Sequence, residues 1–392
     1  MQAGLASVDG RRCVRSALAA AAPSSPGRIW VAAIGKAATA MALGAHDALG
    51  AAIERTLIIT RDADGLSEFA TRAAPEVLLS AHPVPDERSL RAGQRLLAWV
   101  DELPPPVQPL FLVSGGSSAL VEVLETGATL ADLEQLTREA FASGIAIGEL
   151  NARRAALSRI KGGRLAARLA GRAGRALFIS DVPEDDPSVI GSGLLGRAGS
   201  GPDRIERAVV ASVDHALAAV AAAGAHLGLE VHAAPQRFAG DATRLAARFA
   251  HELRLAAAQL LVWGGESTVQ LPPHPGLGGR NQHLALAAAR LIAGHADLLL
   301  LAAGTDGTDG VTADAGALVD ADTCARLALA ELDADLCLQQ ADSGRALAAS
   351  GDLVHTGPTG TNVGDLVIGL KLSVEDARLL AQRHGGVRPR VL

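Results

Sequence analysis

Two kinds of apolar pattern alternate along the chain. Short unbroken apolar runs end at glycine-containing turns, and longer stretches with apolar residues three and four apart follow them. The most pronounced run lies in residues 298–316, LLLLAAGTDGTDGVTADAG, where leucines and alanines give way to a loop carrying Asp306 and Asp309 between glycines. A short apolar run bounded by turn residues reads as a strand buried on both faces, as in parallel sheets. The same reading gives strands at residues 28–34, 56–60, 77–80, 110–113, 176–179, 230–233, 260–263 and 366–370. Helices are expected over residues 8–22, 37–49, 86–103, 151–164, 205–223, 242–255, 281–293 and 374–382, from about Ala119, and through most of 320–347. Strands alternating with helices predict an α/β fold. A chain of 392 residues exceeds what one hydrophobic core usually organises. Two domains are therefore expected, 1–228 and 229–392, divided at the turn near Gly224 and Gly228, each a mostly parallel sheet flanked by helices.

Charge and composition narrow the classes. Acidic residues outnumber basic ones by 42 to 36, for a net charge of -6, and no Lys/Arg-rich block stands out. This balance argues against a nucleic-acid partner. Cys13, Cys324 and Cys337 are odd in number and lack metal-ligand spacing, which suits free thiols in a reducing cytoplasm. The segment RRCVRSALAAAA is too short and too interrupted to read as a signal peptide, and no apolar run approaches the roughly 20 residues of a membrane helix. A cytoplasmic protein without a membrane partner is expected, and a homodimer is compatible with the sequence. Only three lysines occur among 36 basic residues, Lys36, Lys161 and Lys371, and only three asparagines, Asn151, Asn281 and Asn362. A chain that fills its other cationic positions with arginine keeps lysine where a compact ammonium is wanted.

Chemistry concentrates where strands end. Ser114, Gly115, Gly116, Ser117 and Ser118 follow one apolar run and precede an expected helix, an arrangement whose backbone N–H groups suit an anion such as phosphate. It is neither a Walker A loop nor GxGxxG. Lys36 follows Gly35 at another strand end and can reach a phosphate or a carboxylate. Residues 151–164 place Arg154, Ser158 and Lys161 at helical spacing, on one face. Asp181 ends a strand, and an aspartate oxygen there suits Mg²⁺, which commonly accompanies phosphates. Arg280 and Asn281 open a helix after two glycines, where an arginine can clamp an anion in two-pronged fashion. Glu266 ends the strand before them. His82, before Pro83, has no Asp or Ser at a spacing that suggests a triad. Residues 355–362, HTGPTGTN, suit a loop that closes over a pocket.

Taken in order, these stretches resemble the glycerate 2-kinase family, whose C-terminal part is the MOFRL domain. The matching segments are IGKAA at 34–38, HPVPDERS at 82–89, SGGSSAL at 114–120, LSRIKGGRLA at 157–166 and ISDVPEDDPSVIGSG at 179–193. They continue with GGESTV at 264–269, GGRNQHLALA at 278–287, GTDGTDG at 304–310 and GDLVHTGPTGTNVGDL at 351–366, so the resemblance spans nearly the whole chain. Ser117 stands where the family loop often has a third glycine, Leu194 and Val311 where it usually has proline, and Asp314 lies one place later than the usual acid.

The resemblance implies a Rossmann-like N-terminal domain, a MOFRL-type C-terminal domain, and an active site between them that phosphorylates the 2-hydroxyl of D-glycerate with ATP and a divalent metal. Lys36, Arg280 and Asp306 match family residues regarded as catalytic or substrate-binding, and Asp181 matches a motif acid. On that basis Ser114, Gly115, Gly116, Ser117 and Ser118 are assigned to the ATP phosphates and Asp181 to Mg²⁺. Lys36 and Arg280 would stabilise charge, and Asp306 would orient the glycerate hydroxyl and take its proton, or hold the metal. Lys161, Asn281 and Asp309 are expected to bind substrate. Two other readings stay open. An NAD(P)H-dependent hydroxypyruvate reductase, a name some family members carry, would need a dinucleotide-binding turn with an acidic residue about 20 positions on, and none is found. A non-catalytic sugar-acid-binding protein would need fewer charged loops than are present.

Overall fold

The structure is a computed structural model that describes residues 1–20, 27–72, 74–143, 147–197, 203–373 and 375. The chain forms two compact units. One comprises Val8–Ser212 with Gly360–Val363; the other comprises Met1–Ser7, Val213–Thr359 and the chain from Gly364. The long boundary between these units falls after Ser212, and two short pieces belong to the unit that their neighbours in sequence do not.

The first unit is built on a six-stranded sheet: β1 (Ile29–Ile34), β2 (Ile53–Thr60), β3 (Glu76–Leu79), β4 (Gln108–Val113), β5 (Gly174–Ile179) and β6 (Ile205–Ala211). The order is β3-β2-β1-β4-β5-β6, and every pairing is parallel. β1 and β4, IWVAAI and QPLFLV, are buried along nearly their whole length, as expected of central strands covered on both faces. Trp30, Ala32 and Ile34 share a core with Leu96 and Trp99 of the helix Glu87–Asp101 and with Phe111. Trp99 lies 5.8 Å from Trp30 and 5.7 Å from Phe111, centroid to centroid. Burying a side chain such as Phe111 completely contributes about 1.5–3 kcal/mol. The helix Ala38–Leu49 packs on β1 and β2. The sheet grows outward in both directions from β1 and β4, so the strand order reverses between them, and sheets of this kind bind ligands outside the carboxyl ends of the strands at that point.

Three expectations are corrected in this unit. Residues 205–223 are not one helix: β6 precedes the helix Val213–His226. The alanines favour a helix, but Val209 and the residues around it complete the edge of the sheet beside β5, and pairing overrides propensity. The helix expected over 151–164 ends at Ala156; Ser158 then pairs with Leu124, and Gly162 and Gly163 turn the chain with left-handed φ of 61° and 81°. Arg154, Ser158 and Lys161 therefore share no helical face. After the serine-glycine loop only a single turn forms, Ser117–Leu120, because Val121 is already extended and Ser80 Oγ and Ser89 O take up the backbone of Leu120 and Glu122.

The second unit holds β7 (Val231–Ala233), β8 (Phe238–Asp241), β9 (Leu260–Thr268), β10 (Leu298–Gly304), β11 (Gly316–Asp320), β12 (Leu353–Val354) and β13 (Asp365–Lys371). The order is β12-β11-β10-β13-β9-β7, with β8 also on β9. Here the expectation of a mostly parallel sheet fails. β10 is antiparallel to β11 and β13, β13 is antiparallel to β9, and β11 to β12; only β7 and β8 run parallel to β9. A parallel pair needs a crossover of a dozen or more residues, usually a helix, and the β10–β11 loop contains no helix. The leucine run reported a strand correctly, but Leu299 and Leu301 are only half-buried where burial on both faces was expected, and the run carried no information about direction. Leu300 and Ala302 share a core with Phe249, Trp263 and Leu284. The helix Arg280–Ile292 is buried for most of its length, polar Asn281, Gln282 and His283 included, so its polar side chains need internal partners. The expected helix at 374–382 lies outside the described residues. No helix among the described residues is long and apolar enough to cross a membrane.

Candidate active site

Each unit gathers a cluster of the candidate side chains. In the first, the loops leaving β1 and β4 are tied together at the carboxyl ends of these strands. Ser114 N donates to Ile34 O at 3.0 Å, Lys36 N to Gly115 O at 2.9 Å, and Ala37 N to Ser114 Oγ at 3.0 Å. Gly116 has φ of 85°, and a Cβ built on it would stand 3.0 Å from the His82 ring and 3.2 Å from Lys36 Cγ. Lys36 and His82 therefore flank the glycine turn, and a side chain there would push them away. A Cβ on Gly115 would collide with Asp181 Oδ2 and Asn362 Nδ2, so Asp181, at the end of β5, lines the same turn. Asn362 Nδ2 donates to Asp181 Oδ2 at 3.1 Å. On the far side, Ser118 Oγ bonds Ser192 Oγ, and Ser192 donates to Asn151 Oδ1 at 2.9 Å. Ser192 holds a left-handed φ of 55°, a conformation that costs a residue other than glycine roughly 1–3 kcal/mol. Ser117 Oγ is buried with no hydrogen-bond partner.

Lys161, expected to touch substrate, is fully buried and ion-paired with the equally buried Glu122. Burial pulls its ammonium well below the usual lysine range, and the Glu122 charge opposes that pull. Arg154, also desolvated, is held down by burial and supported by the same carboxylate. Lys161 thus braces the segment leaving the serine-glycine loop through Glu122.

In the second unit, the loop after β10 closes on the start of the helix Arg280–Ile292. Asp309, 3% exposed, accepts from Asn281 N at 3.1 Å through Oδ1 and from Gln282 N at 2.7 Å through Oδ2. It is the capping carboxylate of that helix, a role the sequence spacing does not reveal because the cap comes from a distant loop. Burial pushes its carboxyl up to about 7, against the pull of the two N–H groups. Asn281 Nδ2 donates to Asp365 Oδ1 at 2.9 Å. Arg280 pairs with Glu266 and, at 3.5 Å, with Asp365 Oδ2. Burial works against its charge, but Asp365 and Glu266 outweigh it and hold the guanidinium above its usual range. Asp365 is pushed up by burial and by the charges of Glu266 and Asp306, while Arg280 pulls it down. Asp306 is half-buried, and its Oδ1 accepts from both the N–H and the hydroxyl of Thr308 at 3.0 Å. That fixes the orientation of the carboxylate at the end of β10.

The structure therefore brings Lys36, Asp181 and the loop Ser114, Gly115, Gly116, Ser117 and Ser118 together in one unit, and Arg280, Asn281, Asp306 and Asp309 in the other. Sequence reasoning overlooked Glu122 and Asp365, gave Glu266 no role, and set His82 aside for want of a triad. Among the described residues, no group of three or more His, Cys, Asp or Glu side chains is arranged to hold a metal ion.

Residues 1–224 match a domain of unknown function, DUF4147, and residues 259–365 match the MOFRL family. A D-glycerate 2-kinase of Thermotoga maritima is 35% identical over 88% of this chain and 90% of its own length. A glycerate 2-kinase of Pyrococcus horikoshii is 32% identical over 88% of each. A crystal structure of the Thermotoga maritima glycerate kinase superposes with a TM-score of 0.80 at 31% identity, covering 94% of this chain and 97% of that one. The chain belongs to the glycerate 2-kinase family, with its match to the MOFRL family in the C-terminal half. A relative in Agrobacterium vitis, 36% identical over 93% of this chain, is named provisionally as a hydroxypyruvate reductase.

Proposed function

We propose that this protein transfers the terminal phosphoryl group of ATP to the 2-hydroxyl of D-glycerate, giving 2-phosphoglycerate and ADP, with Mg²⁺ as the metal. The observation that carries the reading is the juxtaposition of Lys36, Asp181 and the Gly115–Gly116 turn at the point where the strand order of the parallel sheet reverses. Doubly wound sheets bind ligands there. The turn fits phosphates: its glycines admit close backbone approach, and the Ser117 hydroxyl is buried without a partner. The donor set also fits Mg²⁺, which is held by one or two carboxylates together with substrate phosphates and water rather than by an all-protein cage. Asp181 is that carboxylate. When bound, the metal would neutralise charge on the phosphate oxygens.

Phosphoryl transfer needs positioning and charge neutralisation more than covalent chemistry. The bond formed joins the glycerate 2-oxygen to the terminal phosphorus, and the bond broken joins that phosphorus to the oxygen it shares with ADP. Lys36 supplies a compact positive charge beside the phosphates. Arg280, already set to bind carboxylates by Glu266 and Asp365, takes the glycerate carboxylate or the transferring group. Asp306 orients the hydroxyl and accepts its proton. Asn281 and Asp309 hold the start of the helix that bears Arg280.

Measuring ADP release with D-glycerate, beside NADH oxidation with hydroxypyruvate, tests the reading. ADP release with phosphate on carbon 2 of the product supports it, whereas NADH oxidation without ADP release favours the reductase. The sheet has the strand order of dinucleotide-binding folds, yet its first turn carries Gly35-Lys36-Ala37-Ala38 in place of the glycine fingerprint that a reductase requires.

A further inference from the structure

The chain changes allegiance twice within a few residues: Thr359 and Gly364 belong to the second unit, and Gly360–Val363 between them to the first. The inserted piece is well seated. Gly10 N donates to Gly360 O at 3.3 Å, and Thr361, Asn362 and Val363 are all buried. Asn362 Nδ2 donates to Asp181 Oδ2, and a Cβ on Gly115 would strike both that nitrogen and that oxygen. One amide, one carboxylate and one loop glycine thus meet at a single point.

We propose that Asn362 is a positioning residue of the nucleotide site: its amide fixes the Asp181 carboxylate against the serine-glycine loop in the orientation that binds Mg²⁺ with the ATP phosphates. The inference rests on the reading of Asp181 and that loop given above. A carboxylate at a strand end can rotate about its side-chain bonds, and a donor anchored in another segment removes that freedom before the metal arrives. Partners that orient a metal-binding side chain typically tune metal affinity by about 10–100-fold. An amide suits the place because it donates to Asp181, whereas an acid would repel it.

The test is calorimetry on the full chain, titrating a non-hydrolysable ATP analogue with and without Mg²⁺. Asn362→Ala should weaken the Mg²⁺-bound analogue by about 10–100-fold and leave the metal-free analogue within a few-fold. The Mg²⁺ concentration for half-maximal rate should rise, with the glycerate KM little changed. Thr361→Val, which removes a buried hydroxyl without a partner in the same segment, should leave every one of these values alone. Equal weakening with and without metal would make Asn362 a structural pin and overturn the proposal, as would no change in either. If Asn362→Ala does not fold, Asn362→Ser, whose hydroxyl is too short to replace the amide, should show the same metal-specific loss. Asp181→Asn, measured alongside, separates the two ideas. If it leaves Mg²⁺-dependent binding intact, the metal reading of Asp181 fails and this proposal with it. If it abolishes that binding while Asn362→Ala does not, only the positioning role fails.

Discussion

Lys36 approaches the glycine turn side-on, its Cγ 3.2 Å from where a Gly116 Cβ would stand. Losing a preorganised charge donor of this kind typically costs about 10²–10³-fold in rate. Lys36→Ala should therefore lower kcat/KM by about that factor in protein that still folds. Lys36→Arg should restore only part of it, because a planar fork does not replace a compact ammonium. Steady-state kinetics with D-glycerate checks both, and activity within a few-fold for the alanine variant would remove Lys36 from the site. Asp309 makes a prediction of a different kind. Its folded pKa of about 7 lies above its ordinary value of 3.8, so between those limits the folded state binds more protons than the unfolded one. Stability from this group is full below the lower limit and declines as pH rises toward 7. Asp309→Asn should flatten that decline in denaturant titrations between pH 4 and 7; an unchanged slope would mean that the two N–H bonds win over burial. The sequence singled out Asp309 but not its job, since nothing near it says that its partner is the helix beginning at Arg280. Lys36 stood out because the lysine is rare and the strand before it is strong, and its place beside Gly116 could not be read from the sequence.

At the scale of elements, the single turn Ser117–Leu120 and the Lys161 turn are joined by one buried ion pair. Removing one member of such a pair usually costs about 3–5 kcal/mol, because the other charge stays buried alone. Lys161→Met should cost about that much in urea unfolding, and the double change with Glu122→Leu should recover only part of it, because Arg154 then loses the same carboxylate. If the double variant keeps its glycerate KM, Lys161 acts through structure alone; a large rise in KM with stability partly restored would return it to substrate binding. The loop itself should tolerate Gly116→Ala poorly. A left-handed φ disfavours any Cβ, and this one meets His82 and Lys36. A weaker affinity for nucleotide, with a modest loss of melting temperature, is the expected outcome by calorimetry and thermal unfolding. Parallel β1 and β4 were readable because both faces of each are buried, and so was the helix Ala242–Leu255 from its spacing. The direction of β13 and the strand nature of β6 were not, because both depend on neighbours distant in sequence. The Asn362–Asp181 contact was hidden for the same reason.

At the scale of the whole molecule, the two units are not consecutive stretches of chain. Met1–Ser7 belong with residues that follow Val213, where Gly4 packs beside Val220 and Leu366, and Gly360–Val363 belong with residues before Ser212. A ribosome delivers residues in order, at roughly 5–20 per second. The nascent first unit can assemble its whole parallel sheet while the four residues that finish it are still untranslated. The first seven residues meanwhile wait outside for a sheet that does not yet exist. Asp181 meets the Asn362 amide only once the 180 residues between them have been made, so a chain terminated before Asn362 carries the serine-glycine loop without that hydrogen bond.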